Sequence, residues 1–326
     1  MTTASAAPVT AGSAATSVAP APAVGTPGAG AADAASRRGA GPRVRRRGGI
    51  AWLGLTPFAV YVLLFLAVPA VIAVGSGFFD ESGRPTFANL AAFADPSVLR
   101  AFGGSFALSA VSAVIGAVVG AVVCWALAAL RPDGVVRSMI DSAASVLAQF
   151  GGVMLAFAFI ATIGAQGLIT TWLVAVFHVD LNADGAFLYT VPGLVIPYVY
   201  FQVPLMVLTF MPALEGVKTQ WGEAAATLGA SRLTYWRRIG LPVLAPAFWG
   251  SLLLLFANGF SSFATAAALI SQGGIVPLTI RTQLTSETII GLQNVAGVLA
   301  FGMVVVMAVV MGGYSLLQRR AARWQR

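Results

Sequence analysis

The chain alternates between long apolar runs and short polar stretches. Six of the runs reach the length of about 20 residues that a helix needs to cross the hydrocarbon core of a membrane. They cover residues 51–79, 105–130, 142–163, 187–214, 241–270 and 295–317. A further apolar stretch over 167–177 is too short to cross and is expected to form a surface or re-entrant helix. The pattern therefore predicts an all-α membrane protein with six transmembrane helices.

The distribution of charge supports membrane insertion. None of the six runs contains Asp, Glu, Lys or Arg, and each such residue at a helix centre would cost about 2.5–3.5 kcal/mol on insertion scales. Of the 326 residues, 58% are hydrophobic and 9% are charged, whereas soluble domains usually carry about 25% charged residues. A soluble domain would also need polar helix faces, which these runs lack. The composition thus argues against an ordinary soluble enzyme.

Basic residues predict the orientation of the spans. The positive-inside rule counts Lys and Arg in the short loops and flanks of membrane helices. Sixteen of the 19 basic residues lie on one predicted side. They are Arg37, Arg38, Arg43, Arg45, Arg46, Arg47, Arg131, Arg137, Lys218, Arg232, Arg237, Arg238, Arg319, Arg320, Arg323 and Arg326. Both termini are therefore expected in the cytoplasm of a plasma-membrane protein, and the net charge of +8 reflects topology rather than nucleic-acid binding.

The first fifty residues differ from the rest of the chain. Residues 1–36 are almost entirely Ala, Gly, Pro, Ser, Thr and Val, with Asp33 as their only acidic side chain. A segment of this composition cannot bury enough surface to offset its chain entropy, so disorder is expected. The Arg-rich stretch that follows is interpreted as a topology anchor, with binding to anionic headgroups as the alternative. We therefore divide the chain into a cytoplasmic tail over 1–50 and a transmembrane domain over 51–326.

The sequence lacks the residues of common catalytic sites. Lys218 is the only lysine and follows Val217, whereas a Walker A loop needs Gly before its Lys. His178 and Cys124 are the only histidine and the only cysteine, which excludes the usual zinc ligand sets and a Ser-His-Asp triad. His178 is interpreted as an interfacial loop residue, with a pH sensor as the alternative. No enzymatic activity, metal or cofactor is expected in this chain.

The loop over 218–242, between the fourth and fifth runs, carries the most specific signal. Residues 220–228 are expected to form a short helix with an alanine face, which Gly229 ends. Ser231 is placed to cap a second short helix, and Pro242 is expected to mark the start of the fifth span because it disfavours helix at Leu241. The alternative is an amphipathic loop on the headgroups, anchored by Trp221 and Trp236.

The loop contains Glu223-Ala224-Ala225, Gly229 and Ile239-x-Leu241-Pro242. With these residues it resembles the EAA loop of permease subunits in binding-protein-dependent ABC importers. The family pattern is Glu-Ala-Ala, a Gly four residues after the second Ala, and about nine residues later Ile-x-Leu-Pro. The matching residues are Glu223, Ala224, Ala225, Gly229, Ile239, Leu241 and Pro242. The loop also lies between the fourth and fifth of six spans, as in the family, and the resemblance extends from about residue 101 to the C-terminus.

The resemblance implies a type I importer permease with the fold named after methionine permeases. Two permease subunits, identical or homologous, would form the pore, and two ATPase subunits would bind ATP and Mg on the cytoplasmic side. An extracytoplasmic binding protein would deliver the substrate. Glu223, Ala224, Ala225 and Gly229 would then dock in a cleft of the ATPase and transmit its closure as a lever.

Polar residues inside the apolar runs are candidates for a translocation path. They are Gln149, Tyr198, Tyr200, Gln202, Asn258, Ser261, Ser262 and Thr265. The alternative for each is a hydrogen bond between packed helices. Four prolines, Pro192, Pro197, Pro204 and Pro212, are expected to kink the fourth span and free carbonyl groups toward a cavity. Gly116-x-x-x-Gly120 in the second span indicates close helix packing.

The substrate is the least constrained part of the interpretation. The stretch from Asn258 through Phe263 and onward to Pro277-Leu278 resembles permeases of a polyamine, phosphonate, thiamine and ferric-ion cluster. A polyamine such as spermidine or putrescine is the first expectation, from the overall similarity of spans five and six. No carboxylate in the spans would balance a polycation. Two other classes remain as alternatives: a secondary transporter, which needs ion ligands at depth that these spans lack, and a membrane scaffold or insertase.

Overall fold

The computed structural model describes the backbone of residues 48–131, 133–179, 187–271, 273–285 and 292–323, with side chains described from 55 to 285 and from 294 to 319 within those ranges. The segment predicted to be disordered, residues 1–36, and the arginines from Arg37 to Arg47 lie outside the described residues. The chain divides into two units, Met1–Val60 and Tyr61–Arg326. In the first unit, the described residues form helix from Gly48 onward.

Helices make up nearly all of the regular structure. The α-helices are α1 (Gly48–Val62), α2 (Val68–Gly75), α3 (Pro96–Ala128), α4 (Val135–Gln149), α5 (Gly152–Ile163), α6 (Leu168–Phe177), α7 (Val195–Glu215), α8 (Thr219–Thr227), α9 (Arg232–Tyr235), α10 (Leu241–Ser261), α11 (Ala264–Leu269), α12 (Val276–Thr285) and α13 (Leu292–Arg323). Two π-helical segments, Leu63–Ala67 and Trp236–Gly240, join α1 to α2 and α9 to α10. The described part of the chain contains no β-strand, so the all-α prediction is confirmed.

Within the described residues, six helical stretches are long and apolar enough to cross a membrane. They are Leu55–Phe78, Pro96–Ala128, Gly152–Phe177, Val195–Glu215, Arg232–Ser261 and Asn294–Arg319. The number of spans agrees with the prediction, and five of the six overlap their predicted runs over most of their length. The third span and the ends of the fourth and fifth differ, because glycine, serine and proline residues inside apolar sequence interrupt the helices. The second span also starts earlier than predicted, at Pro96, because Asp95 caps α3 there.

The predicted position of the third span, residues 142–163, is wrong. Its first eight residues belong to α4, a helix that also carries Arg137 and Asp141 and is followed by a break at Phe150 and Gly151. Gly152 has a φ of +71°, a conformation that non-glycine residues rarely adopt, so the α4 helix cannot continue through it. The third candidate span instead covers α5, a turn over 164–167 and α6. The stretch over 167–177 thus forms a separate short helix, and its placement as a surface or re-entrant helix stays a prediction.

The fourth and fifth spans are also shorter at one end than predicted. In the fourth, predicted over 187–214, α7 begins only at Val195. Pro192 precedes the helix, and Pro204 and Pro212 lie inside a helix that continues through them. In the fifth, predicted over 241–270, α10 ends at Ser261, and α11 starts after a break of two residues.

Small residues let the second and fourth spans approach closely. A Cβ atom built on Gly116 would lie 2.8 Å from Cβ of Gln202, and one built on Gly120 would lie 2.5 Å from Cβ of Met206. Lipid tails are as apolar as side chains, so membrane helices associate through such close contacts rather than through burial of apolar surface. The predicted packing role of Gly116 and Gly120 is confirmed, and α3 against α7 is the most extensive helix pair of the bundle.

Buried side chains form separate clusters along the bundle. One cluster joins α3, α4, α7 and α10 and includes Cys124, Met206 and Leu255. Another joins α5, α7, α11 and the start of α12 and includes Leu155 and Tyr198. The first cluster lies at the end of the bundle that carries α8, and the second surrounds the helix breaks after α4 and α10.

Candidate functional site

The spacing between Ala225 and Gly229 follows from the way α8 ends. Gly229 has a φ of +77°, and its N–H donates to the carbonyl of Ala226 at 3.0 Å. The N–H of Ala230 donates to the carbonyl of Ala225 at 2.9 Å. These two bonds form a Schellman motif, in which a left-handed residue stands four positions after the residue that accepts the outer bond. The second Ala and the Gly of the EAA pattern are those two residues.

The side chains of α8 divide into an inner position and an outer surface. Ala225 is the only buried residue of this helix, so its methyl group fixes α8 against the rest of the chain. Glu223 and Ala224 are exposed, and Leu228, at the end of the helix, is 86% exposed. The loop therefore presents one carboxylate together with apolar surface, a combination suited to a protein groove.

The second half of the loop is capped as predicted. Ser231 accepts a hydrogen bond from the backbone N–H of Thr234 at 3.2 Å, and its hydroxyl lies 2.9 Å from that of Thr234. This capped turn starts α9, where Leu233 is 69% exposed. The rigid turn at Gly229 and the cap at Ser231 together fix the direction in which α9 leaves α8.

The predicted boundary at Pro242 is wrong, because helix runs through it. Leu241 has φ −63° and ψ −46°, and its N–H donates to the carbonyl of Trp236 across a π-helical turn. The wider turn accommodates the proline within the first turn of α10, where its missing N–H is tolerated. α9, the π turn and α10 therefore form one candidate span, Arg232–Ser261, rather than a second short helix followed by a separate span.

The three residues of the second motif have different surroundings. Ile239 is half-buried, whereas Leu241 and Pro242 are exposed. Leu241 lines an apolar cavity of about 550 Å³ together with Trp236 and other side chains of α3, α7 and α10. The ring of Trp236 covers Gly240, where a Cβ atom would overlap it. Trp236 is therefore partly a packing residue, and Trp221 is half-buried as well.

An ion pair that sequence reasoning missed joins α4 to the end of α7. Arg137 is buried and pairs with Glu215, the last residue of α7, and its Nε lies 3.6 Å from Oδ2 of Asp141. Arg137 had been counted only as a topology signal. The available clue was its position seven residues before Ala144, which places both on one buried face of α4. The pair ties α4 to the chain that enters α8 four residues after Glu215.

Three of the predicted path residues are buried between helices. Nε2 of Gln202 donates to Oγ of Ser112 at 3.0 Å, and the hydroxyl of Tyr198 donates to the carbonyl of Ser262 at 2.9 Å. Oγ1 of Thr265 donates to the carbonyl of Gly152 at 3.2 Å. These bonds are of the kind described by the alternative interpretation, hydrogen bonding between packed helices. Oε1 of Gln202 has no hydrogen-bond partner among the described residues.

The other predicted path residues reach the surface of the chain. Gln149, Asn258 and Ser261 are exposed, and Ser262 is half-buried. Oγ of Ser261 donates to the carbonyl of Asn258 at 3.3 Å. Tyr200 is 38% exposed and meets the ring of Phe159 edge-on.

Two helix breaks lie together in this region. The break after α4, at Phe150 and Gly151, and the break after α10, at Ser262 and Phe263, are connected by the Thr265–Gly152 bond. Breaks inside apolar helices leave backbone N–H and C=O groups that need polar partners. Gln149 directly precedes one break, and Asn258 and Ser261 precede the other. The structure therefore gathers the exposed amide and hydroxyl candidates around two helix breaks, one before the third candidate span and one after the fifth.

Comparison with known proteins identifies a conserved domain type. Residues 165–323 match the family model described as binding-protein-dependent transport system inner membrane component. This range contains α8, the turn at Gly229 and the α9–α10 helix. The resemblance that the EAA spacing indicated is therefore confirmed.

Curated relatives carry names of sulfate and molybdenum transport. The sulfate transport system permease protein CysT of Salmonella typhimurium is 26% identical over 194 residues, which is 59% of this chain and 64% of CysT. CysW of Synechocystis is 25% identical over 250 residues, 76% of this chain and 84% of CysW. The molybdenum permease ModB of Mycobacterium tuberculosis is 29% identical over 167 residues, 50% of this chain and 57% of ModB. The match to CysT thus spans less than two thirds of the length of CysT. The sulfate and molybdenum in the names of these relatives do not support the polyamine expectation.

Solved structures share the fold. A bacterial ABC transporter for import of the acidic polysaccharide alginate matches with a TM-score of 0.63 and 16% identity, over 83% of this chain and 95% of that one. The same kind of transporter in complex with an alginate-bound periplasmic protein matches with a TM-score of 0.61 and 15% identity, over 85% and 95%. The MetI-like permease fold is therefore confirmed at the level of the backbone.

Proposed function

We infer that this chain, whose residues 165–323 carry the inner membrane component domain of binding-protein-dependent transport systems, is the permease subunit of an ATP-driven importer. The observation that carries the proposal is the α8 loop, in which the Schellman turn at Gly229 holds Glu223 and Leu228 on an exposed, rigid surface. A secondary transporter or a membrane scaffold has no need of such a surface.

The α8 loop is the proposed contact with an ATPase subunit. Glu223 supplies a carboxylate for a basic group of the partner, and Ala224 permits close approach because its side chain is small. Leu228 supplies apolar area that the isolated chain leaves 86% exposed. Two ATPase subunits and a second permease chain complete the proposed assembly, and ATP and Mg bind to the ATPase.

Two connections would transmit movement of α8 into the membrane. The first is the continuous helix from α9 through the π turn to α10, which starts beside Gly229 and ends at the break after Ser261. The second is the Arg137–Glu215 pair, which links the start of the loop to α4 and thus to the break before Gly152. Both connections end at the two breaks described above, so closure of the ATPase would act on the same region from both sides.

The exposed polar residues at these breaks are the proposed translocation path. Gln149, Asn258, Ser261 and Ser262 offer amide and hydroxyl groups that donate hydrogen bonds without carrying charge. Tyr198, Gln202 and Thr265, which are buried, are proposed to hold the helices that form the path. This division predicts that substitutions of the first group change transport more than they change stability.

The proposed substrate is a tetrahedral oxyanion, sulfate or molybdate. The names of the CysT, CysW and ModB relatives support this class, and the neutral donors at the breaks suit an anion stripped of water. A periplasmic binding protein is the proposed source of substrate, by analogy with the alginate transporter complex. Both termini are proposed to lie in the cytoplasm, which terminal reporters would check.

Reconstituted transport tests the proposal. The chain is co-expressed with the ATPase that co-purifies with it, the complex is placed in vesicles, and uptake of labelled sulfate and molybdate is measured with loaded binding protein outside. We expect uptake that requires ATP in the ATPase compartment. Uptake driven by an ion gradient without ATP would contradict the importer assignment, and uptake of spermidine but of neither oxyanion would contradict the substrate class.

A further inference from the structure

The side-chain amide of Gln202 lies where three helices meet. Gln202 belongs to α7 and is fully buried. A Cβ atom built on Gly116 of α3 would lie 3.1 Å from Oε1 of Gln202, and one built on Gly259 of α10 would lie 2.9 Å from its Nε2. The two glycines therefore leave a slot between α3 and α10 that the amide fills. We call this feature the Gln202 slot.

One polar atom in the Gln202 slot is unpaired. Nε2 donates to Oγ of Ser112 at 3.0 Å, whereas Oε1 accepts no hydrogen bond from the described residues. Reversing the amide would not remove the deficit, because Ser112 already donates its own hydroxyl proton to the carbonyl of Leu108 at 2.7 Å. A buried polar atom without a partner destabilises the arrangement that contains it. Such an atom in a native structure calls for a physical explanation.

The slot is closed by the helix that the α8 loop would move. α10 continues from α9 through the π turn, and Gly259 lies in its last turn, which ends at Ser261. Packed helices shift between discrete arrangements rather than deforming continuously. A shift of α10 relative to α3 and α7 would therefore change which groups face the amide of Gln202.

A second serine of α3 also borders Gly259. Ser109 is 1% exposed and stands three residues before Ser112, so the two serines lie on the same face of α3. A Cβ atom built on Gly259 would lie 3.6 Å from Cβ of Ser109. Ser109 and the amide of Gln202 are thus both neighbours of Gly259, and displacement of Gly259 would allow the serine hydroxyl to approach the amide.

We propose that Gln202 is a conformational switch between two arrangements of α10 in the transport cycle. In the arrangement described here Oε1 is unpaired. In the second arrangement the hydroxyl of Ser109 donates to Oε1, and both polar atoms of the amide are bonded. The amide thereby shifts the equilibrium toward the second arrangement. The inference rests on the proposed importer function, because an import cycle requires a permease that alternates between arrangements.

The direction of a stability change tests the unpaired atom. Gln202→Met keeps the unbranched stem and removes both polar atoms of the amide, while Ser112 keeps its bond to the carbonyl of Leu108. Replacing an incompletely bonded polar group by an apolar one of similar shape is neutral or stabilising, so the melting temperature of the detergent-purified complex should rise. Tyr198→Phe is the matched control on α7. Its hydroxyl is bonded to the carbonyl of Ser262, so its removal should lower the melting temperature.

Transport tests the second arrangement. Gln202→Met no longer disfavours the described arrangement, and the maximal rate of ATP-driven sulfate or molybdate uptake should fall about tenfold, the shift expected from one unpaired buried group. Ser109→Ala removes the proposed donor and should lower uptake to a similar extent without raising the melting temperature. Co-purification of the ATPase should stay parental in both variants, since neither residue lies in the α8 loop.

Three outcomes would overturn the inference. A melting temperature of Gln202→Met below the parental value, as in Tyr198→Phe, would show that the amide only holds the helices together. A raised melting temperature with parental uptake would show that the unpaired atom has no part in the transport cycle. Parental uptake by Ser109→Ala would exclude its hydroxyl as the donor. Absence of ATP-driven uptake by the parent complex would instead refute the proposed function, and the melting temperatures would still test the unpaired atom.

Discussion

Replacing Gly229 by valine should uncouple the α8 loop from transport without preventing membrane insertion. Gly229 lies outside the six candidate spans, so the helices that enter the bilayer are unchanged. Two hydrogen bonds close the end of α8, and their acceptors are the carbonyls of Ala225 and Ala226. Both bonds require the φ of +77° at Gly229. A β-branched residue at such a φ is strongly disfavoured.

The size of the effect follows from backbone strain alone. No atom lies within 4 Å of a Cβ built on Gly229, so a side chain there meets open space and clashes with nothing. The left-handed conformation costs a non-glycine residue about 1–2 kcal/mol, which reduces the population of the correct turn by a factor of about 5–30. Alanine should approach this cost, valine should reach or exceed it, and asparagine, which tolerates the left-handed region, should cost least.

Coupling is measured as the number of substrate ions transported per ATP hydrolysed by the reconstituted complex. The amount of each variant in the membrane and its co-purification with the ATPase are measured in parallel. Gly222 provides the matched control, because it lies in the same helix at an ordinary φ and a Cβ there would only touch the Tyr235 ring at 4.0 Å. We expect Gly222→Ala to be parental, Gly229→Ala to be impaired and Gly229→Val to be impaired most. Equal coupling in all three variants, or a loss in Gly229→Asn as large as in Gly229→Val, would refute the reasoning from φ.

Three further predictions concern other parts of the chain. Arg137→Gln should lower the free energy of unfolding by about 1–3 kcal/mol, a value between those of exposed and buried ion pairs because Glu215 is half exposed. It should also lower the number of substrate ions transported per ATP. A stability loss with a parental transport ratio would show that Arg137 has a purely structural role. Gly120→Leu should lower the melting temperature of the detergent-purified complex, since overpacking costs about 1–3 kcal/mol, and an unchanged melting temperature would contradict the close α3–α7 contact. Deleting Met1–Ser36 should leave membrane level and uptake unchanged, which immunoblotting and transport assays would check.

Local features of the α8 loop could be predicted from sequence because they depend on neighbouring residues. The positive φ at Gly229 and the cap by Ser231 each follow from the conformational preferences of one residue type. The boundary at Pro242 could not be predicted in the same way. A π-helical turn at Trp236–Gly240 allows the helix to continue through the proline. In this turn the ring of Trp236 packs over Gly240, and such packing cannot be read from the local sequence.

The bounds of the third span depend on contacts between distant residues. The run from 142 to 163 is uniformly free of charge, and the pair Gly151-Gly152 was its sequence sign of a break. That break is held by Thr265, which bonds to the carbonyl of Gly152 from 113 residues away.

Residue type likewise could not separate path from packing. Gln202 and Asn258 are both amides in apolar helices, yet one is fully buried against Ser112 and the other is exposed. Which amide faces outward is decided by how α3, α7 and α10 pack.

The contact made by Glu223 tests the central claim most directly. The single native cysteine, Cys124, is buried, so Glu223→Cys introduces one reactive thiol on the exposed surface of α8. A short thiol-directed cross-linker is applied to membranes, and the captured chain is identified by mass spectrometry, with Ser82→Cys in a turn outside the candidate spans as the control. The account predicts a cross-link from position 223 to an ABC ATPase and none from position 82. Efficient labelling of position 223 without capture of an ATPase, in membranes that carry out ATP-driven uptake, would contradict it.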